Sequence, residues 1–178
     1  MNQYEVKHPD FEFIGPVPMD FDTKVGVGSG MGFGQCVIDE LCNIKLASQF
    51  EKGKRRIGVI FNLDKHTQPG SHWVAMYAAF PALPANGEIA YWDSYGMRPN
   101  PEVVALMNRL KAQAVELGHQ VEMKVNRNRH QYKNTECGVY CIYFLTSFLE
   151  GRAFEEIVGN IIGDDRMFEK RKDFFAKV

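Results

Sequence analysis

Short runs of apolar residues, separated by polar and glycine-containing stretches, divide the chain into predicted strands and helices. Mostly apolar runs of strand length lie near residues 56–63, 72–80 and 88–93. A helical pattern follows from Pro101 to about Leu117, with proline in its first turn and Gly118 after its last residue. Another strand is expected near residues 121–126. This order of strands and helices predicts an α+β fold.

Helical segments are predicted after the last strand. Residues 137–149 form a strongly apolar run, long enough for about three turns of buried helix, and Gly151 is a suitable stop. Further helices are expected near residues 153–162 and 164–177. The last of them alternates basic and aromatic residues, which is typical of an amphipathic helix that docks its aromatic face.

The beginning of the chain carries weaker signals. Residues 1–35 contain several prolines and an alternating run of glycines from Gly26 to Gly34, so we expect an irregular segment. The glycine run lacks the preceding strand and the Lys-Ser/Thr ending of a phosphate-binding loop, which favours a mobile loop beside a cleft. From Cys36 to about Phe50, the spacing of apolar and polar residues predicts a helix.

Length and composition agree with one compact unit. With 178 residues and 45% hydrophobic content, we expect a single domain over residues 1–178, with its core in residues 36–178. A net charge of −1 gives no general attraction to nucleic acid or anionic membranes. No signal-peptide pattern and no apolar run of about 20 residues occurs, which predicts a soluble intracellular protein. The low number of cysteines fits a reducing compartment.

Cys137 is a candidate nucleophile because it opens the apolar helical run. Backbone N–H groups and the helix dipole at a helix N-terminus favour an anion, and a thiolate is such an anion. A free cysteine in the core is the alternative. The polar, turn-like residues 126–136 that lead to Cys137 favour a loop-to-helix junction. Gly138, directly after the thiol, would keep bulk away from a carbonyl under attack.

His72 and Asp93 are candidates for a base and its orienting carboxylate. His72 begins one predicted strand and Asp93 ends the next, so the two side chains meet if the strands are neighbours. We then expect the carboxylate to accept a hydrogen bond from Nδ1 of His72, with Nε2 facing the thiol. Each residue alone would indicate only surface polarity or turn chemistry.

Gln131 precedes Cys137 by six residues in a polar loop. Its amide N–H₂ and the backbone N–H of Cys137 could together hold the oxyanion of a tetrahedral intermediate. An isolated glutamine in such a loop would carry little meaning, so this assignment depends on the spacing to Cys137.

The complete set of motifs resembles that of the adenain-like and SUMO or ubiquitin-like-protein-specific cysteine proteases. The resemblance covers about residues 57–149, and it is carried by His72-Trp73, Tyr91-Trp92-Asp93-Ser94, Gln131 and Cys137-Gly138-Val139. It implies a papain-like catalytic core with a central mixed sheet flanked by helices. It also implies that His72, Asp93 and Cys137 form a triad, that Gln131 builds the oxyanion hole, and that Trp73 roofs a narrow channel over small substrate residues.

Two branches of that superfamily compete. Residues 57–64 and the stretch from Asp93 to Gly96 resemble proteases of large DNA viruses, virophages and related transposons. SUMO proteases commonly carry a further tryptophan upstream, whereas this chain has only Trp73 and Trp92. The resemblance thus implies a monomeric endopeptidase that needs no cofactor or metal and cuts after Gly-Gly or Gly-X in capsid or other structural precursors. The expected location is the virion and the cytoplasm or virus factory of the host.

Two other hypotheses stay open. The first is an isopeptidase or deconjugase of SUMO or ubiquitin, and the second is a capsid or scaffold protein that kept the fold without activity. The presence of all four candidate catalytic residues argues against the second hypothesis, since packing alone does not demand them. These residues are His72, Asp93, Gln131 and Cys137.

Basic residues flank the proposed oxyanion residue: Lys124, Arg127, Arg129, His130 and Lys133. They predict a solvated loop, or alternatively a contact to substrate or to a DNA activator. A peptide activator is a further alternative implied by the resemblance.

The remaining cysteines are expected to be structural. Cys141, one turn after Cys137, is predicted to lie in the core, and Cys36 and Cys42 to pack on the first helix. No paired CxxC spacing supports a zinc site.

Overall fold

The computed structural model of the protein describes residues 1–26 and 34–175. The helices and strands follow in the order α1 (Asn2–Lys7), β1 (Phe11–Pro18), β2 (Lys24–Val25), β3 (Gln35–Cys36), α2 (Asp39–Cys42), α3 (Leu46–Glu51), β4 (Arg56–Asn62), β5 (Trp73–Ala79), β6 (Gly87–Trp92), α4 (Pro101–Glu116), β7 (Val121–Val125), α5 (Cys137–Leu149), α6 (Phe154–Gly159) and α7 (Asp164–Phe174).

The central sheet has five strands in the order β1-β4-β5-β6-β7. β4, β5 and β6 are antiparallel neighbours, whereas β1 joins β4 and β7 joins β6 in parallel. Helices flank this mixed sheet, so the predicted α+β fold class is confirmed.

The sheet is buried on both faces, which explains the continuous apolar runs of its central strands. Side chains of alternate residues enter two separate apolar clusters. Tyr91 belongs to the cluster that contains Leu106 and Leu110 of α4, while Tyr77 and Trp92 belong to the cluster that contains α5. Tyr77 stacks on Phe148 of α5 with ring centroids 4.2 Å apart. This stacking helps to hold α5, which begins at Cys137, against β5.

The prediction that residues 1–35 are irregular is wrong for residues 2–18. α1 and β1 are regular elements, and β1 pairs with β4 at the edge of the sheet. Proline is tolerated in an edge strand because one side of that strand makes no ladder hydrogen bonds. The register shifts between Ile14 and Val17, and a side chain at Gly15 would meet the carbonyl oxygen of Ile60 at 2.9 Å. The Gly-Pro signals therefore mark a bulged edge strand.

The single helix predicted from Cys36 to Phe50 is also wrong, because two short helices, α2 and α3, occupy this region. A side chain from α4 replaces the missing helical hydrogen bonds: Gln113 accepts the Leu46 N–H at 2.8 Å and donates to the Ile44 carbonyl at 3.1 Å. Cys36 and Cys42 form a disulfide with an S–S distance of 2.05 Å, in place of two free thiols packed on a helix.

The other predicted elements agree with the structure within one to three residues. α7 ends at Phe174, and the glycine run predicted as a mobile loop falls mainly on residues 27–33, which lie outside the described residues. Among the helices of residues 1–26 and 34–175, none is long and apolar enough to cross a membrane.

Candidate active site

The site lies where one end of the sheet meets the N-terminus of α5. His72 directly precedes β5 and Asp93 directly follows β6. These strands are antiparallel, with Ala75 opposite Trp92, so the start of one lies beside the end of the other. Cys137, the first residue of α5, is free and half-buried there. The topology thus brings together three residues that are far apart in the sequence.

His72 and Asp93 are joined by a hydrogen bond between Nε2 and Oδ1, with a length of 2.9 Å. The prediction that Nδ1 makes this bond is wrong; Nδ1 is the nitrogen left to face the thiol. The side chain of Asp93 is almost fully buried, and its Oδ1 also accepts the Tyr95 N–H at 2.8 Å. The ring of Tyr95 stacks on the imidazole, with centroids 4.6 Å apart. Backbone position and stacking set the ring orientation, which the sequence does not reveal.

The charges of His72 and Cys137 stabilise each other. Burial opposes the imidazolium, but hydrogen bonds and charge interactions with Asp93 and Cys137 outweigh it and raise the pKa of His72 to about 9. Burial also opposes the thiolate, yet the hydrogen bond to His72 and the backbone N–H groups of Trp73 and Gly138 lower the pKa of Cys137 below its ordinary value. Both shifts favour the thiolate–imidazolium form of the pair over its neutral form.

Gln131 is fully buried in the loop before α5. Its Oε1 accepts the Ser94 hydroxyl at 2.6 Å, and its Nε2 donates to the Lys133 carbonyl at 2.7 Å. Its backbone N–H donates to the Ser94 carbonyl at 2.9 Å. The side-chain amide is thus held at one orientation, with one Nε2 hydrogen not used by the Lys133 bond.

A cleft of about 420 Å³ opens at the thiol. Trp73 and Gly138 line it together with Cys137, and no atom beyond the neighbouring residues and backbone of α5 lies within 4 Å of a methyl group built on Gly138. Val139 of the same motif also lines the cleft. Residues that the sequence did not connect with the site complete the lining: Met1, Phe13, Pro16, Ile60, Thr135, Ile142, Arg171 and Phe175. The aromatic and basic alternation of α7 was visible in the sequence, but its place beside the thiol was not.

In the basic segment before α5, Arg127, Arg129 and Lys133 are exposed loop residues, as predicted, whereas Lys124 is half-buried and His130 is buried. Lys124 lies within 3.5 Å of carboxylates of Glu88, Glu122 and Glu155. Burial lowers the pKa of His130 and keeps its ring neutral. Arg129 donates to the Gln131 carbonyl at 2.8 Å. Less charge is therefore available to a nucleic acid than the sequence suggests.

Cys141 is fully buried in α5, as predicted, and burial raises the pKa of its thiol. Within residues 1–26 and 34–175, no group of three or more His, Cys, Asp or Glu side chains is arranged to hold a metal ion.

Known proteins share this fold and parts of this sequence. The crystal structure of a protease of African swine fever virus superposes with a TM-score of 0.77 over 99% of this chain and 64% of that chain, at 22% identity. The fold is therefore that of a viral protease. No protein-family model matches the chain.

Sequence relatives point to the same class. A thiol protease of Acanthamoeba polyphaga mimivirus is 32% identical over 176 residues, which is 98% of this chain and 53% of the relative. A cysteine protease of African swine fever virus is 31% identical over 122 residues, or 66% of this chain and 43% of the relative. The protein of another isolate, 30% identical, is named a SUMO-1 cysteine protease. The chain is a homologue of these viral thiol and SUMO-type cysteine proteases, and it spans about half of their length.

Proposed function

We propose that the chain is a cysteine endopeptidase in which Cys137 is the nucleophile and His72 is the general base and acid. The observation that carries the proposal is the position of His72 between two partners: its Nε2 lies 2.9 Å from Asp93, and Cys137 is close enough to help raise the pKa of the ring. The raised pKa of the imidazole and the lowered pKa of the thiol are what an activated cysteine needs. Asp93 orients the ring and stabilises its charge.

The reaction follows from these roles. The Cys137 thiolate attacks the carbonyl carbon of the scissile peptide, and the negative charge moves to the carbonyl oxygen. The backbone N–H of Cys137 and the Gln131 amide donate hydrogen bonds to this oxyanion. As the intermediate collapses, the imidazolium of His72 gives its proton to the leaving amine. Water, deprotonated by the neutral imidazole, then attacks the thioester and releases the acid and the thiolate.

We infer that the scissile bond follows Gly-Gly or Gly-X. Trp73 and Gly138 border the thiol, and no atom beyond the neighbouring residues and backbone of α5 lies within 4 Å of a methyl group built on Gly138. A substrate backbone without side chains could lie close to the helix N-terminus there. Because the relatives are viral proteins, we propose capsid or other structural precursors as substrates, cut by a monomeric enzyme in the virion or in the host cytoplasm.

The test is mass spectrometry of a peptide library incubated with the wild-type protein and with Cys137→Ala. We expect cuts after Gly-Gly or Gly-X that are lost in the variant. Cleavage retained by purified Cys137→Ala would overturn the proposal. Alkylation of Cys137 by iodoacetamide, measured in parallel, shows whether the thiol is reactive in a preparation that cuts no peptide.

Deconjugation of a ubiquitin-like protein is the second candidate, because relatives about 30% identical are named SUMO-1 cysteine proteases. A SUMO molecule with an electrophilic C-terminus separates the two functions. Rapid formation of a Cys137 adduct, together with no cleavage of short peptides, would favour the deconjugase. Cleavage of peptides without adduct formation favours the endopeptidase.

A further inference from the structure

The side-chain amide of Gln131 depends on the position of the peptide unit that follows it. Nε2 donates to the carbonyl oxygen of Lys133 at 2.7 Å, and the hydroxyl of Tyr95 donates to the same oxygen at 3.2 Å. Lys133 and the preceding Tyr132 are both exposed. Unless something else holds this stretch, movement of Lys133 would move the proposed oxyanion donor as well.

The carboxylate of Asp164, the first residue of α7, holds this stretch. Its Oδ2 accepts the backbone N–H groups of Tyr132 and Lys133, each at 3.0 Å. The other carboxylate oxygen, Oδ1, also accepts the Tyr132 N–H, at 3.3 Å. Asp164 thus fixes the two peptide groups directly after Gln131 from an element that lies more than thirty residues away in the sequence.

The chain just before α7 holds the preceding part of the same loop. The carbonyl of Val158 accepts the Asn128 side chain at 2.8 Å and Nε2 of His130 at 3.2 Å. Nδ1 of His130 accepts the Ile162 N–H at 3.3 Å, which fixes the neutral tautomer with hydrogen on Nε2. The loop is therefore attached on both sides of Gln131.

The geometry points to Asp164 as a positioning residue for the oxyanion donor: through the backbone of Tyr132 and Lys133 it sets where the Gln131 amide lies. Asp164 touches neither Cys137 nor His72 in the contacts of the described residues. Its Oδ1 also lies 3.4 Å from the Tyr140 hydroxyl of α5, and the iodoacetamide control below separates this route to the thiol from the route through the loop. This inference rests on the proposed function, because it assumes that Gln131 stabilises the oxyanion.

Asp165, the residue after Asp164, provides a matched control. Asp165 is also in the first turn of α7 and carries the same charge, so its effect on the helix dipole is similar. Its carboxylate is 92% exposed, and among the residues that the structure describes it pairs only with the Lys133 ammonium, at 2.7 Å, and does not contact the loop backbone. Comparison of Asp164→Ala with Asp165→Ala separates the hydrogen bonds of Asp164 from the loss of charge.

The experiment measures binding of a peptide aldehyde that ends in glycinal. The Cys137 sulfur adds to the aldehyde carbon, and the thiol proton goes to the carbonyl oxygen as the hemithioacetal forms, so this oxygen occupies the oxyanion position. Affinity is read as protection of Cys137 from iodoacetamide, which needs no turnover. We expect Asp164→Ala to bind roughly tenfold to 10²-fold more weakly, since small misplacement of a group costs up to about that much. Asp165→Ala should bind like the wild type.

Alkylation by iodoacetamide alone reports the thiolate and needs no oxyanion donor. We expect its rate to be unchanged in Asp164→Ala, and we expect Asp164→Ala to cause no further loss in a Gln131→Ala background. Slower alkylation, or an equal additional loss in that background, would overturn the inference because Asp164 would then act elsewhere.

The inference and the proposed function fail in different ways. If Gln131→Ala weakens aldehyde binding but Asp164→Ala does not, only the inference is overturned. If Gln131→Ala binds the aldehyde as the wild type does, the oxyanion role under the proposed function is wrong, and the role of Asp164 falls with it.

Discussion

The ring of Tyr95 stacks on the imidazole of His72, with centroids 4.6 Å apart and planes inclined by 24°. The same residue donates its backbone N–H to the Asp93 carboxylate at 2.8 Å. Tyr95 therefore contacts both His72 and Asp93 without taking part in proton transfer. Because the backbone contact remains when leucine or phenylalanine replaces Tyr95, comparison of these two variants tests the contribution of the ring.

We expect Tyr95→Leu to lower kcat/KM about twofold to tenfold, since aromatic pairs contribute about 0.5–1.5 kcal/mol. Tyr95→Phe keeps the ring and should stay close to the wild type, although it loses the hydroxyl contact to the Lys133 carbonyl. Steady-state kinetics on one Gly-Gly peptide measures both variants. Equal activity of the Leu and Phe variants would show that the stacking has no role.

The pH dependence of turnover should have an alkaline limb near pH 9. Above the pKa of His72, about 9, the imidazole loses the proton that the leaving amine needs. On the acid side, turnover should fall only below the ordinary thiol pKa, because the pKa of Cys137 is lowered. The two limbs belong to the coupled pair and not to either residue alone. The measurement is kcat/KM against pH.

Alkylation by iodoacetamide gives the control for this profile. Its rate follows the thiolate, so it should rise with pH and stay high above pH 9, where turnover falls. Asp93→Asn removes a charge that favours the imidazolium, and we expect its alkaline limb at lower pH. A limb that does not move in this variant would contradict the assigned role of Asp93.

Gly138→Ala should separate stability from activity. A methyl group at this position meets no atom within 4 Å beyond the neighbouring residues and backbone of its own helix, so the fold has room for it. Alanine is also favoured over glycine in a helix by about 1 kcal/mol. We expect an unchanged or higher melting temperature, and a kcat/KM at least tenfold lower because the methyl group enters the space beside the thiol. Full activity on a Gly-Gly peptide would mean that substrate does not approach this glycine.

The ion pair between Glu136 and Arg171 should stabilise the fold. Glu136 precedes Cys137 and its side chain is 5% exposed, while Arg171 of α7 contacts it at 3.3 Å. Arg171→Gln leaves a buried carboxylate without its charged partner, and we expect a loss on the order of 1–3 kcal/mol in the free energy of unfolding. Urea denaturation measures this loss.

The double variant Glu136→Gln with Arg171→Gln provides the matched comparison for that pair. It removes both charges, so it should be more stable than Arg171→Gln alone. A double variant that loses as much as the sum of the two single variants would contradict the coupling.

Most of the helices and strands were predicted from local sequence patterns. Apolar runs marked β4, β5 and β6, because strands buried on both faces are apolar at almost every position. α4 was marked by Pro101 and Gly118, whose conformational preferences act at helix ends. β1 was missed for the opposite reason: its proline and glycine signals oppose regular structure locally, and only pairing with β4 at the sheet edge makes it a strand.

The sequence by itself determined the candidate residues for a cysteine protease site: His72, Asp93, Gln131 and Cys137 were proposed from residue type, order and spacing. The tertiary structure decided how they face one another. It selected Nε2 of His72 for Asp93, stacked Tyr95 on the ring, and brought Arg171 and Phe175 to the cleft. Hydrophobic pattern and turn chemistry act over a few residues, whereas ring orientation and cleft lining depend on packing between elements that are distant in the chain.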